Sequence, residues 1–444
     1  MKNWKKTLAV SLALCLLLLT TAACGSGTAK KEDPAAAKTP AEETAAAKTP
    51  AEETAAAKTP AEETAAAAEK IEYWTADSPA MASIIEAVDN YTDPDSENYL
   101  EPEERIALFD MDGTLIGELF PTYFDQCLLM YRVLHDDSFD SSQVSAEDRE
   151  YLQALETALL NGEEEPDYPK SSAQIAAEAF KGFTVEEYRA YVRSFMDQPV
   201  AGFEGMTYGQ VFYKPMAALV RYLDEHDFRV YINSGAERSL ARELSEDTLG
   251  EWIPPYQVVG TTFSLTATGQ GDTAGRDYTY TAEDQVLLEG NMTFKNVKMN
   301  KVVSTIDEIG VIPSLVFGNS SGDFAMAQYA VQNGGRAYML LCDDTERDYG
   351  DTEKAESFKK KCEELGFETV SMKNEFETIY GENVKKTGFQ PADQAEPAEE
   401  AEDTETAAPE NAPAEEAATS ETAVPANQTP AEEPAPEEEL APAA

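Results

Sequence analysis

Residues 105–115 read RIALFDMDGTL. The apolar run Ile106–Phe109 has the length and composition of a short buried strand, and it breaks at Asp110. Asp112 follows two residues later, then Gly113. Burying a carboxylate at a strand end is costly unless something compensates it. If the extended geometry continues, Asp110 and Asp112 point the same way. Two like charges converging before a glycine turn is therefore expensive as structure alone, and it asks for chemistry to explain it.

Outward from this stretch the chain alternates strands and helices. Helical spacing is read in YFDQCLLMYRVL, SAEDREYLQALETALLNG, SSAQIAAEAFKG and TVEEYRAYVRSFM, so residues 121–200 are expected to be mainly helical. KPMAALVRYLDEHD predicts a helix leading into the strand FRVYINSG. YQVVGTTF predicts a strand, and the Gly-rich alternating segment 264–294 predicts hairpins. MNKVVSTIDEIG predicts a helix closed by Gly310, followed by the strand SLVFGN, a helix and the strand RAYMLLCD. This alternation predicts an α/β fold, with a mostly parallel sheet and helices on both faces. Ligands on such sheets bind at the carboxyl ends of the strands. Three of the strands end in polar residues: Asp110, then Asn233-Ser234-Gly235, then Gly318-Asn319.

Composition bounds the partners. The chain has 444 residues and a formal net charge of −50. Such a charge repels nucleic acid and anionic membrane surfaces. There are two histidines, His135 and His226, which leaves little material for a histidine-rich metal site or a Ser-His triad. Both are read as structural or surface residues. Trp74 and Tyr73 are expected in the core. Glu118, Tyr123 and Phe124 are read as cap packing or as pocket lining. Beyond the N-terminal segment the cysteines are Cys127, Cys342 and Cys362. An odd number does not suggest a disulfide framework, and a Cys342–Cys362 bridge and buried free thiols both stay open.

The ends of the chain read differently from its middle. Lys2, Lys5 and Lys6 precede the apolar run Thr7–Leu19, which small residues and Cys24 follow; this is an export signal, residues 1–23. TAAC followed by Gly25 resembles a bacterial lipobox, with Thr21 in place of the usual Leu. The resemblance implies lipidation of Cys24 and a membrane anchor on the extracytoplasmic face; without lipid the protein would be secreted. KTPAEETAAA repeats three times over residues 38–67, with no large apolar residue, so 24–70 is expected to be a spacer without a core. Residues 387–444 are rich in Ala, Pro and Glu and are expected to form an acidic disordered tail.

The motifs then fall into order. FDMDGTL resembles the first motif of the haloacid dehalogenase superfamily in its phosphatase branch. YINSG resembles the second, a lysine among Lys295, Lys298 and Lys301 the third, and VFGNSSGD the fourth. The segment between the first two motifs resembles the inserted cap of phosphoserine phosphatase-like members, and the chain is distantly similar to secreted phosphorylcholine phosphatases. The resemblance implies a Rossmann-like core over 71–115 and 230–386 with a helical cap at 116–229. It implies a Mg²⁺-dependent phosphomonoesterase acting on a small phosphorylated metabolite outside the cell. Asp110 would be the nucleophile, Asp112 the general acid/base and Lys298 the charge-neutralising lysine, preferred by spacing over Lys301 and Lys295. Ser234, Gly235, Asn319 and Thr114 would serve the phosphate. Asp110, Asp112 and Asp323 would hold Mg²⁺. Asn319 departs from the family, which often has Asp there, and so adds no charge. Two other functions fit the same fold: a non-catalytic surface lipoprotein that binds ligands, and a phosphotransferase or mutase.

Overall fold

A computed structural model of the chain describes residues 70–119 and 121–388. The export signal, Cys24, the repeats and almost all of the acidic tail lie outside the described residues. In chain order the elements are α1 (Pro79–Thr92), β1 (Ile106–Phe109), α2 (Phe124–Met130), α3 (Ala146–Asn161), α4 (Ser172–Ala179), α5 (Val185–Met196) and β2 (Phe203–Glu204). There follow α6 (Lys214–Glu225), β3 (Arg229–Glu237), α7 (Arg238–Leu249), β4 (Val258–Ala267), β5 (Val286–Phe294) and α8 (Met299–Ser304). The last are β6 (Leu315–Gly318), α9 (Phe324–Val331), β7 (Arg336–Leu340), α10 (Thr352–Leu365), β8 (Glu368–Val370), α11 (Met372–Glu375) and β9 (Lys385–Lys386).

Seven strands form one sheet in the order β5-β4-β3-β1-β6-β7-β8. Every pairing is parallel except β4 with β5, which form the hairpin expected near 264–294. The fold is α/β with a mostly parallel sheet, as the alternation predicted. β1 lies at its centre because all four of its residues are apolar and wholly buried. Phe109 stacks on Phe317 of β6 with ring centroids 4.3 Å apart. Burying a side chain of that size stabilises the fold by roughly 1.5–3 kcal/mol.

The register sets up the site. Phe109 pairs with Ile232 of β3 on one side and with Phe317 of β6 on the other. The next residues therefore stand side by side, Asp110 beyond the end of β1, Asn233 in β3 and Gly318 at the end of β6; β3 does not end at Asn233-Ser234 as expected but runs on to Glu237. Residues 121–200 are helical in the main, as read. Two of their helices begin with a capping box that satisfies two otherwise orphaned backbone donors, Ser145/Asp148 and Thr184/Glu187, and at α4 the Gln174 side chain accepts from Ser171 N at 2.9 Å. The apolar face of α6 carries Met216, Leu219, Val220 and Leu223 into the same core as Phe109 and Ile232. Trp74 is buried as expected, and its Nε1 donates to the Pro215 carbonyl at 2.9 Å. Cys127, Cys342 and Cys362 are all free thiols, so the 342–362 bridge does not form.

Candidate active site

β1 stops at Phe109, and the chain turns at once. The Met111 carbonyl accepts from the N–H groups of Thr114, Leu115 and Ile116, and Gly113 N donates to the Ile116 carbonyl at 2.8 Å. Asp112 thus stands in a turn and not in a continued strand, yet it lines the same cavity as Asp110. Gly113 has φ +71°, where a side chain is strained, and a Cβ there would lie 2.6 Å from Asn319 Cγ. The first and fourth motifs touch at this glycine.

The charged centre is built by Asp110, Asp323 and Lys301. Lys301 Nζ donates to Asp110 Oδ1 at 2.5 Å and to Asp323 Oδ1 at 2.7 Å. The other oxygen of Asp323 accepts from the Asn319 and Ser320 N–H groups at 3.1 and 3.0 Å. Asp323 is thereby fixed at the N-terminus of α9. Burial, reinforced by the Asp323 charge and opposed by Lys301, pushes the Asp110 carboxyl up to about 7. Burial also raises Asp112 well above the carboxylate range, with Asp125 and Asp110 adding to it. Burial works against the Lys301 ammonium, but the Asp110 and Asp323 carboxylates outweigh it and hold the proton on. One oxygen of Asp112, Oδ1, is buried without a hydrogen-bond partner among the described residues.

The spacing argument chose the wrong lysine for this centre. Lys298 is exposed, caps the start of α8 with φ +53°, and reaches neither carboxylate. Lys301 lies one turn into the helix, is 2 % exposed, and presents its chain to the strand ends. Lys295 also lines the cavity, where its Nζ donates to the Gly235 carbonyl at 2.9 Å. Of the other expected residues, Gly235 and Asn319 line the cavity. Ser234 and Thr114 are wholly buried. Ser234 Oγ accepts from Ala236 N at 3.0 Å, and Thr114 Oγ1 donates to Asn319 Oδ1 at 3.4 Å. Thr114 ties the turn after β1 to Asn319, and the Ser234 bond lies within β3. Glu118 accepts from Asn319 Nδ2 at 2.7 Å, and Tyr123 lines the cavity, whereas Phe124 packs in the core. His135 pairs with Glu156 at the surface, and His226 contacts the Tyr222 carbonyl.

A buried amide network was missed by the sequence reading. Asn233 Nδ2 donates to the Lys301 carbonyl at 2.9 Å, and its Oδ1 accepts from Asn296 Nδ2 at 2.6 Å. Asn296 Nδ2 also reaches the Ser234 carbonyl at 2.9 Å. These bonds tie α8, and with it Lys301, to the end of β3. Asn233 stood in the second motif and could have been suspected; nothing around Asn296 marks it.

The cavity holds about 190 Å³ and lies between the strand ends and α2. It is lined by Asp110, Asp112, Asp125 and Asp323 against Lys295 and Lys301. Among the described residues, no three His, Cys, Asp or Glu side chains form a ready cage for a cation.

The chain belongs to the haloacid dehalogenase-like hydrolase family, whose pattern matches residues 107–328. No curated protein matches it. Among solved structures it is similar to a conserved protein of unknown function from Anaerococcus prevotii, at 15% identity over 68% of this chain and 94% of that one, with a TM-score of 0.42. A second, from Bordetella pertussis and also of unknown function, is 13% identical over 60% of this chain and 98% of its own, with a TM-score of 0.37. A phosphoserine phosphohydrolase-like protein from Francisella tularensis is 13% identical over 53% of this chain and 87% of its own, with a TM-score of 0.30.

Proposed function

We propose that this hydrolase is a Mg²⁺-dependent phosphomonoesterase for a small phosphorylated metabolite. The observation that carries the reading is the pairing of Asp110 and Asp112 in one small cavity, with Lys301 held against Asp110. Uncatalysed phosphate monoester hydrolysis is among the slowest of reactions, and a carboxylate nucleophile divides it into two easier steps. An Asp110 oxygen attacks phosphorus, and the bond to the leaving alcohol breaks. Asp112, kept protonated by its burial, gives its proton to the leaving oxygen. Water then attacks the aspartyl-phosphate while Asp112 takes the water's proton, releasing inorganic phosphate and regenerating Asp110. The Lys301 ammonium opposes the charge on the transferring group. Main-chain groups of Gly235 and Ala236, with Asn319 and Ser320, surround the place of the phosphate oxygens.

The donor set suits Mg²⁺. Asp110 and Asp323 offer carboxylates, the Asp112 main chain offers a carbonyl, and all are hard oxygen donors. The carboxylate excess in the cavity and the unpartnered Asp112 Oδ1 favour a further cation there. When bound, the ion would offset repulsion between these carboxylates and a phosphate dianion. Hydrolysis of p-nitrophenyl phosphate tests the proposal. Turnover should need Mg²⁺, vanish with a chelator and return when Mg²⁺ is restored. Absence of turnover at any Mg²⁺ concentration would sink it and leave a binding protein on the same fold.

The leader-like N-terminus supports an extracytoplasmic location, with Cys24 as the lipid-bearing residue. Cell fractionation should place the protein in the membrane fraction, and Cys24→Ser should release it. Recovery of wild-type protein in the cytosol would overturn this.

A further inference from the structure

Asn319 lies between two cavities. It lines the catalytic one, and on its other side it borders a second of about 670 Å³, which Glu118 and Cys342 also line. Its amide is bonded at both ends. Nδ2 donates to Glu118 Oε1 at 2.7 Å and to Cys342 Sγ at 3.8 Å. Oδ1 accepts from Thr114 Oγ1 at 3.4 Å. Both N–H groups of the amide are thus committed, and a lone pair on Oδ1 is what the side chain has left for a ligand. The Glu118 carboxylate, for its part, has Asn319 as its one hydrogen-bond partner among the described residues and forms no ion pair among them. Gly113 makes room for the contact: a Cβ there would lie 2.6 Å from Asn319 Cγ and 2.9 Å from Glu118 Cγ.

We propose that Glu118 is a positioning residue: it holds the Asn319 amide with its nitrogen turned from the catalytic cavity, so that Oδ1 is presented there as a neutral oxygen donor toward Mg²⁺. This rests on the Mg²⁺-dependent phosphatase reading above. An amide can present either end, and its N–H end repels a cation. An ionised carboxylate only accepts, so Glu118 draws the N–H end to itself and fixes the choice. A charged acceptor also polarises the amide it binds and makes the amide oxygen a stronger acceptor in turn. The same contact explains a neutral side chain at 319. An aspartate there would set two carboxylates at the 2.7 Å now spanned by the amide, and like charges so close cannot both stay ionised. The charge stands at 118 and the donor atom at 319.

The test measures Mg²⁺ affinity by calorimetry on the full-length protein without substrate. Glu118→Met keeps the bulk and removes the acceptor, and should weaken Mg²⁺ binding roughly tenfold or more. Glu118→Gln keeps an acceptor oxygen and should recover most of that loss. A purely structural Glu118 would lower the urea midpoint in chelator but leave the Mg²⁺ affinity of the folded protein unchanged. Asn319→Asp should lower the urea midpoint in chelator, and adding Glu118→Gln to it should restore the midpoint, because a glutamine amide can donate to the new carboxylate. The affinity comparison stands where Asn319→Asp fails to fold, and the stability comparison stands where Glu118→Met does. Unchanged Mg²⁺ affinity in Glu118→Met, no recovery in Glu118→Gln, or an Asn319→Asp midpoint indifferent to Glu118→Gln would each overturn the inference. Wild-type turnover of p-nitrophenyl phosphate together with a Mg²⁺ affinity that no variant alters removes this inference alone. No Mg²⁺ binding and no turnover in the wild type remove the phosphatase reading with it.

Discussion

The Lys301 ammonium stands 2.5 Å from Asp110 Oδ1 and 2.7 Å from Asp323 Oδ1, with its side chain almost wholly buried. Removing one partner of such a group leaves charge without compensation, at a cost of about 3–5 kcal/mol. Lys301→Ala should therefore lower the unfolding free energy by about that amount in chelator, read by urea titration, and lower kcat by roughly 10²–10³-fold in Mg²⁺. Lys298→Ala should change neither, because Lys298 is exposed and reaches no carboxylate. A larger kcat loss in Lys298→Ala would contradict the assignment. Asp110→Asn keeps the shape and removes the proposed nucleophile; kcat for p-nitrophenyl phosphate should fall roughly 10³-fold or more, with the circular dichroism spectrum unchanged. Retained activity would move the nucleophile elsewhere.

At the scale of elements, the site depends on how the β1 turn meets the loop after β6. Gly113 has φ +71°, and its α-carbon faces the Asn319 amide. Gly113→Ala combines a strained backbone with a clash, and should cost about 1–3 kcal/mol. It should also displace Asn319 from Glu118 and raise KM more than a surface glycine change would. Gly162→Ala gives the control: it shares the positive φ, at +68°, but meets nothing within 4 Å. A KM equally raised by Gly162→Ala would show that strain alone, and not contact with Asn319, sets the effect. The helix α8 is placed by side-chain amides: Asn233 and Asn296 hold its carbonyl and the end of β3 together. Capping boxes fix the starts of α3 and α5 locally, from residues three apart in sequence.

Across the whole molecule, the C-terminal segment is pinned by one buried carboxyl. Asp348 Oδ2 accepts from the hydroxyls of Tyr213, just before α6, at 3.2 Å, and of Tyr380, near the end of the described chain, at 3.1 Å. Burial pushes this carboxyl up to about 6, although the bonds it accepts oppose the rise. Its unfolded value lies near ~3.9. The native state therefore holds the proton more tightly, so this contribution to stability is full below pH ~4 and is lost as pH rises through about 6. The loss amounts to about 3 kcal/mol. Urea titrations of wild type and Asp348→Asn between pH 4 and 7 should show that slope in their difference, with the variant the flatter. Parallel curves would refute it.

Some of this was present in the chain before folding. Apolar runs meeting Asp110 and Gly318-Asn319 mark two strand ends by local composition, while β3 continues past Asn233-Ser234 to Glu237, and alternation with helices makes the sheet mostly parallel. Those features are short-range, so periodicity reveals them. The choice of Lys301 over Lys298 depends on the phase of α8 against β3, which amides distant in sequence impose. That Asp112 turns back while still facing Asp110 depends on hydrogen bonds to the Met111 carbonyl. The bond from Asn319 to Glu118 needs the loop after β6 beside the chain that leaves β1, and the free state of Cys342 and Cys362 follows from where β7 and α10 pack. These are relations between segments, decided by packing; no window of sequence contains them.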